Sequence, residues 1–242
     1  MWPAKSSLRS SFLDHLEELR SRLLISLAAV LFASIVAYSF SRPLLDFLIR
    51  PLRVVDFAAL YFQAPYEAFL VRLKISLLAG VLGASPVFFT QLWLFVAPGL
   101  HREERRALLP VVLVSVFLFL AGAAFAFWVL LPLGLQFLLG FQTHSLRPLL
   151  SISPYFSFLM TLVLGCGLVF ILPAVLLGLV KMEILNVQTL ERSRKGTIVL
   201  IFILTAVLTP SADPFSQILL ALPLILLYEG CIGIGKWIER KK

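Results

Sequence analysis

Residues 194–229 read RKGTIVLIFILTAVLTPSADPFSQILLALPLILLYE. Two uncharged apolar segments, 197–208 and 215–228, flank Thr209, Pro210, Ser211, Ala212, Asp213 and Pro214. Two prolines around an aspartate make a turn rather than a continuous helix. Basic residues stand on both sides of the pair: Lys181, Arg192, Arg194 and Lys195 before it, and Lys236, Arg240, Lys241 and Lys242 after it. Positive charge beside a membrane span stays in the cytoplasm, so the chain must leave that face and return to it. The stretch therefore predicts a hairpin of two short spans. At 12 and 14 residues they measure roughly 18 and 21 Å against a hydrocarbon core of about 30 Å, which favours local thinning of the bilayer.

The same rule extends outward. Lys5, Arg9, Arg20 and Arg22 precede the first apolar run, and Arg102, Arg105 and Arg106 follow the second. The four basic blocks hold 15 of the 21 Lys and Arg residues. With every block on one face, both termini are cytoplasmic. A chain that is 60% hydrophobic and 14% charged lacks the polar surface to coat a soluble core. It reads as a polytopic, all-α membrane protein, with residues 1–242 forming a single membrane domain. The net charge of +8 clusters at span ends, where it meets anionic lipid headgroups, so a lipid bilayer rather than nucleic acid is the expected partner. Cys166 and Cys231 sit inside apolar stretches far from other ligand types, so they read as packing residues, with no metal site and no disulfide. No small-residue cleavage site follows the first apolar run, which should remain as a span.

Six spans account for the length. Ser11 with Asp14 resembles a capping box, and Phe12, Leu16, Leu19 and Leu23 recur at helical spacing, predicting a short interfacial helix leading into span one, 23–40. Residues 41–65 are mixed and read as an external loop with one or two short helices. Span two is 75–97, with Arg72 and Lys74 snorkelling at its external end. Span three begins near Leu108 and reaches Leu135, with Pro132 marking its end. Residues 149–180 are too long for a straight span, so Pro154 should open the fourth helix and Pro173 bend it.

No catalytic constellation is present: His15, His101 and His144 are dispersed, and no nucleophile is paired with a base. No nucleotide motif or other cofactor signature occurs. Two acidic clusters lie on the cytoplasmic side. Residues 14–22, DHLEELRSR, place Asp14 and Glu18 one turn apart, with Glu17 in reach of Arg20 and Glu18 in reach of Arg22. Residues 95–106, FVAPGLHREERR, place Glu103 and Glu104 among three arginines. Each cluster can be solvated, self-paired charge. Together they can also form one acidic receptor for a cationic ligand, with a preference for Arg because a carboxylate takes a guanidinium through two parallel hydrogen bonds.

HLEELRSRL at 15–23, SPVFFTQLWLFVAPGLHREERR at 85–106 and LTPSADPFSQILLALPLILLYE at 208–229 resemble, in order, the motifs of the TatC family, the core of the twin-arginine protein translocase. The resemblance implies a concave, glove-shaped bundle of six transmembrane helices in a prokaryotic cytoplasmic membrane, the last two short. It implies that Glu18 and Glu104 bind the arginine pair of a signal peptide, with Phe95 and Arg20 around them. Further motif positions match at Pro51, Pro86, Asp213, Gln217, Tyr228 and Glu229. The implied partners are single-span TatA-like and TatB-like proteins, twin-arginine signal peptides of folded cargo and further copies of the chain. The implied energy source is the proton-motive force.

One departure stands out. Many members carry a glutamate two residues before a proline in the fourth span, where this chain has Ile171 before Pro173. An intramembrane carboxylate is costly and usually functional, so a less polar concave face is expected, with Gln217 and Thr205 as either substitutes or packing residues. Rival readings are a small secondary transporter or channel, supported by the proline-interrupted and short spans, and an assembly factor that binds partner helices without regard to paired arginines.

Overall fold

The structure, a computed structural model, describes residues 5–53, 60–96, 108–140, 149–181, 185–208 and 214–240. Eleven helices are present among them. The first, α1 (Lys5–Ser39), is followed by the short α2 (Ser41–Leu48) and α3 (Arg50–Arg53), then by α4 (Glu67–Val96). Next come α5 (Leu108–Phe125), a π-helical turn (Ala126–Leu130) and α6 (Leu131–Leu139). The remainder are α7 (Ile152–Phe170), α8 (Leu172–Lys181), α9 (Val187–Arg192), α10 (Arg194–Leu208) and α11 (Pro214–Arg240). Four stretches are long and apolar enough to cross a bilayer: His15–Ser39, Glu67–Phe95, Leu109–Phe137 and Ile152–Val180. With α10 and α11 they make six passes of an all-helical membrane protein.

Three boundaries differ from the sequence reading. The expected interfacial helix and first span are one uninterrupted helix beginning at Lys5, upstream of Ser11. Pro132 does not end the third pass, which continues to Leu139. Proline lacks an N–H and its ring crowds the carbonyl four residues back. Here the π turn Ala126–Leu130 widens the helix immediately before it and accommodates both problems. The sixth helix is short only in its uncharged part, because α11 runs 27 residues to Arg240, past Glu229 and Lys236. By contrast α10 has 15 residues, about 22 Å. The fourth pass is interrupted two residues before Pro173, at the turn residue Ile171 between α7 and α8.

Burial orders the helices. Only 6% of the apolar window of α1 is buried, against 61% for α7–α8, so the fourth pass is central and the first peripheral. The main core joins Val71 and Ile75 of α4, Leu131 of α6, Phe156 and Leu159 of α7 and Leu220 of α11. A second cluster gathers Phe89 and Trp93 of α4, Phe119 of α5 and Ile171. Lipid tails are as apolar as leucine, so membrane helices associate through close packing and hydrogen bonds. Close packing is visible at two crossings: Gly80 of α4 lies against Ser34 of α1, while Gly122 of α5 and Gly167 of α7 receive Phe170 and Phe119 respectively.

Polar groups inside the bundle donate to backbone carbonyls, in one case to a carbonyl freed by proline. Pro86 cannot donate to Leu82 O, and the buried Ser85 hydroxyl donates to it instead at 2.7 Å. Tyr155 of α7 donates to Leu48 O, 2.8 Å away at the end of α2, just ahead of the buried Pro51. The Cys231 thiol lies 3.3 Å from Pro173 O, and neither cysteine is in a disulfide. The segment ahead of α4 is pinned to the start of α7 by Tyr61 N–H to Leu150 O at 3.0 Å and Ile152 N–H to Tyr61 O at 2.8 Å.

Candidate functional site

The amino-terminal part of α1 lies beside the carboxyl end of α4. The His15 ring stacks on Phe95 with centroids 4.4 Å apart and planes 19° apart. One turn along, the Glu18 carboxylate accepts two hydrogen bonds from Arg22, from Nε at 3.0 Å and Nη2 at 2.5 Å. Both converge on Oε1. The other oxygen, Oε2, faces His15 Nδ1 at 3.9 Å, too far for a hydrogen bond. Arg22 Nη1 donates across to Gln91 Oε1 of α4 at 3.4 Å. The Glu18 and Arg22 side chains are 29% and 23% exposed, so the pair is partly desolvated and stronger than a fully solvated one.

An apolar track leads away from this pair. A shallow depression of about 60 Å³ is lined by Leu19, Arg22, Ser26, Phe88 and Phe95 among others. Phe88 also lines a deeper cavity of about 210 Å³ with Val30, Val81, Phe119 and Leu168. From Glu18 to Val30 the track follows α1 for about 18 Å. Ser85 is the one hydroxyl on the deeper cavity among the described residues, and it already serves Leu82 O. Ile171, at the glutamate position of the resembling family, is buried in the neighbouring cluster with Phe89 and Phe119.

The structure thus brings Glu18 and Phe95 together, with His15 between them. Arg20 is exposed and forms no ion pair with Glu17 among the described residues. Glu104 and Asp213 lie outside the described residues. The helices on either side of the Glu104 segment are clipped together by Trp93 Nε1–H to Ser115 Oγ at 3.0 Å. Gln91 and His15 were missed as site residues: glutamine and histidine inside a helix carry no signal until a neighbouring helix faces them.

Three further motif positions, Gln217, Tyr228 and Glu229, make contacts between helices. Gln217 Nε2 of α11 donates to Phe202 O of α10 at 2.9 Å and so joins the last two helices, while Thr205 Oγ1 donates to the same carbonyl at 3.0 Å from within α10. Glu229 pairs with Arg194 at 3.3 Å. Arg194 also reaches Glu191 at 3.7 Å, and Glu191 in turn pairs with Lys236. Tyr228 OH donates to Leu190 O at 2.7 Å and accepts from Thr197 at 3.3 Å. These contacts tie α9, α10 and α11 at one end. The Lys236 hydrogen bond and the nearby positive charges hold the Glu191 carboxyl below its ordinary value. Among the described residues no three His, Cys, Asp or Glu side chains converge on a metal site.

Residues 14–223 match the family model described as Sec-independent protein translocase protein (TatC). A TatC protein of Magnetococcus marinus is 41% identical over 236 residues, spanning 97% of this chain and 87% of that protein. One of Aquifex aeolicus is 40% identical over 232 residues, spanning 95% and 96%. A crystal structure of the twin-arginine translocase receptor TatC superposes with a TM-score of 0.79 at 40% identity, covering 92% of this chain and 98% of that one. A second, in DDM, gives 0.80. The chain belongs to the TatC family and is a component of a Sec-independent protein translocase.

Proposed function

We propose that this protein is the signal-peptide receptor and scaffold of a twin-arginine translocase, exporting folded proteins on the proton-motive force. The observation that carries the proposal is the Glu18 carboxylate. It already grips a guanidinium, keeps Oε2 without a hydrogen bond among the described residues, and stands at the mouth of an apolar track. Glu18 and Glu104 take the arginine pair, Phe95 and Arg20 border them, and the hydrophobic stretch of the signal runs along α1 and α4 past Phe88. With an all-apolar Ile171 beside that track, selection along it rests on hydrophobic match, and the arginine pair supplies the specificity. Pro51, Pro86, Asp213, Gln217 and Glu229 shape the scaffold.

The whole chain acts as one membrane domain in a prokaryotic cytoplasmic membrane, with both termini cytoplasmic as the positive blocks require. A 27.0 kDa bundle cannot itself enclose a pore for a folded domain. Passage therefore involves TatA-like and TatB-like single-span proteins and further copies of the chain. No step of this role is catalytic.

Binding to the purified protein in lipid nanodiscs tests the reading. A twin-arginine signal peptide should bind more tightly than its twin-lysine counterpart, and Glu18→Gln and Glu104→Gln should each abolish the difference. Equal binding of both peptides, untouched by either substitution, would mean that hydrophobic association alone is at work and the receptor assignment is wrong.

A further inference from the structure

We propose that Arg22 is a built-in competitor for the ligand's guanidinium, holding Glu18 in the empty receptor and setting the strength a ligand needs to take Glu18 over. The inference rests on the receptor reading and deepens it. Two nitrogens of Arg22 occupy Oε1 of Glu18. An incoming guanidinium engages a carboxylate best through both oxygens at once, so full engagement requires Arg22 to let go. Gln91 makes that release inexpensive: its Oε1 already accepts from Arg22 Nη1 at 3.4 Å, giving the displaced side chain an uncharged partner on α4. The Arg22 stem lies in the depression with Leu19, Ser26 and Phe88, so it can stay packed while its head moves.

The consequence differs between the two cations. A lysine ammonium is a compact point charge that can approach Oε2 without evicting Arg22, and it gains only that weaker, screened contact. A guanidinium replaces Arg22 fork for fork. Removing the competitor spares arginine the whole cost of eviction, whereas lysine, which leaves Arg22 in place, gains at most that much.

The experiment measures binding of synthetic peptides with two adjacent arginines or two adjacent lysines ahead of an apolar stretch, on wild type, Arg22→Gln and Glu18→Gln in nanodiscs. Arg22→Gln should bind the arginine peptide about threefold to tenfold more tightly, with no larger gain for the lysine peptide and no narrowing of the ratio between them. Weaker or unchanged binding by Arg22→Gln overturns the competitor role, since it would make Arg22 an orienting residue for Glu18 or a bystander. A second readout uses the wild-type protein alone: the Arg22 Nε–H resonance should move, on adding arginine peptide, to its position in Glu18→Gln. A resonance that stays put while peptide binds also overturns the proposal. Wild-type binding that ignores both arginine and Glu18→Gln overturns the receptor reading itself, and the competitor with it.

Discussion

Substituting Gly80 with alanine probes how α1, and with it Glu18, is held. A Cβ at Gly80 would lie 2.0 Å from Ser34 Oγ, 2.8 Å from Ser34 N and 2.9 Å from Ser34 Cα. The hydroxyl can rotate away, at the loss of its 2.7 Å bond to Val30 O. The backbone atoms cannot. Ordinary contact begins near 3.4 Å, so α1 must retreat by about half an ångström. Overpacking of this kind costs about 1–3 kcal/mol, partly offset by roughly 0.5–1 kcal/mol from replacing a helical glycine. Since α1 packs chiefly along α4 and little of it is buried, the helix should move as a body. Gln91 already lies at the 3.4 Å edge of its hydrogen bond to Arg22, about three turns along the helices from the Gly80–Ser34 contact, so the retreat should open the α1–α4 contact at the site. Thermal unfolding in nanodiscs should show a lower midpoint by a few degrees, and twin-arginine peptide binding should weaken severalfold. Gly83→Ala on the same helix is the control, because an added Cβ there meets nothing within 4 Å. If Gly80→Ala behaves like Gly83→Ala in both assays, the close-approach reasoning is refuted.

Two further outcomes are expected. Ser85→Ala should destabilise the protein by about 1 kcal/mol, because Leu82 O loses the donor that replaces the missing Pro86 N–H. Adding Pro86→Ala should recover most of that loss by restoring a backbone donor, and an equal cost of Ser85→Ala with and without Pro86→Ala, measured by unfolding, would contradict the pairing. Glu191 titrates below its ordinary value, chiefly through its hydrogen bond with Lys236. A carboxyl depressed on folding adds stability that is fully present above its unfolded value near 4.5 and is lost as pH falls through the lower folded value. Unfolding midpoints of wild type should therefore fall more steeply than those of Glu191→Gln below about pH 4.5, and parallel profiles would show that the Glu191–Lys236 contact carries no linkage.

The membrane class, the passes and the final hairpin were legible because partition into lipid is additive along the chain. Each apolar run and each basic block acts through its own solvation, whatever its neighbours do. The interruption ahead of Pro173 was legible for the same reason, since a missing N–H is a local fact. The errors fall where a neighbour intervenes. Pro132 should have ended a helix, and a π turn upstream rescued it. The end of α11 was read from hydropathy, yet the helix continues past Glu229, where Arg194 pairs with Glu229 and Lys236 with Glu191. The start of α1 was placed at a capping pattern that the helix passes through.

For the candidate site, the sequence by itself determined the chemistry: a carboxylate at Glu18, an arginine one turn on at Arg22, and an aromatic at Phe95 closing the second pass. That an i, i+4 pair on one helix would meet follows from helical geometry alone. Only the tertiary structure decided that His15 stacks on Phe95, that Gln91 stands ready for Arg22, and that Phe88 joins the mouth of the site to a deeper apolar cavity. Such meetings depend on the rotation and close approach of α1 on α4 through Gly80 and Ser34. Side-chain packing between whole helices fixes that register, and no short stretch of sequence contains it.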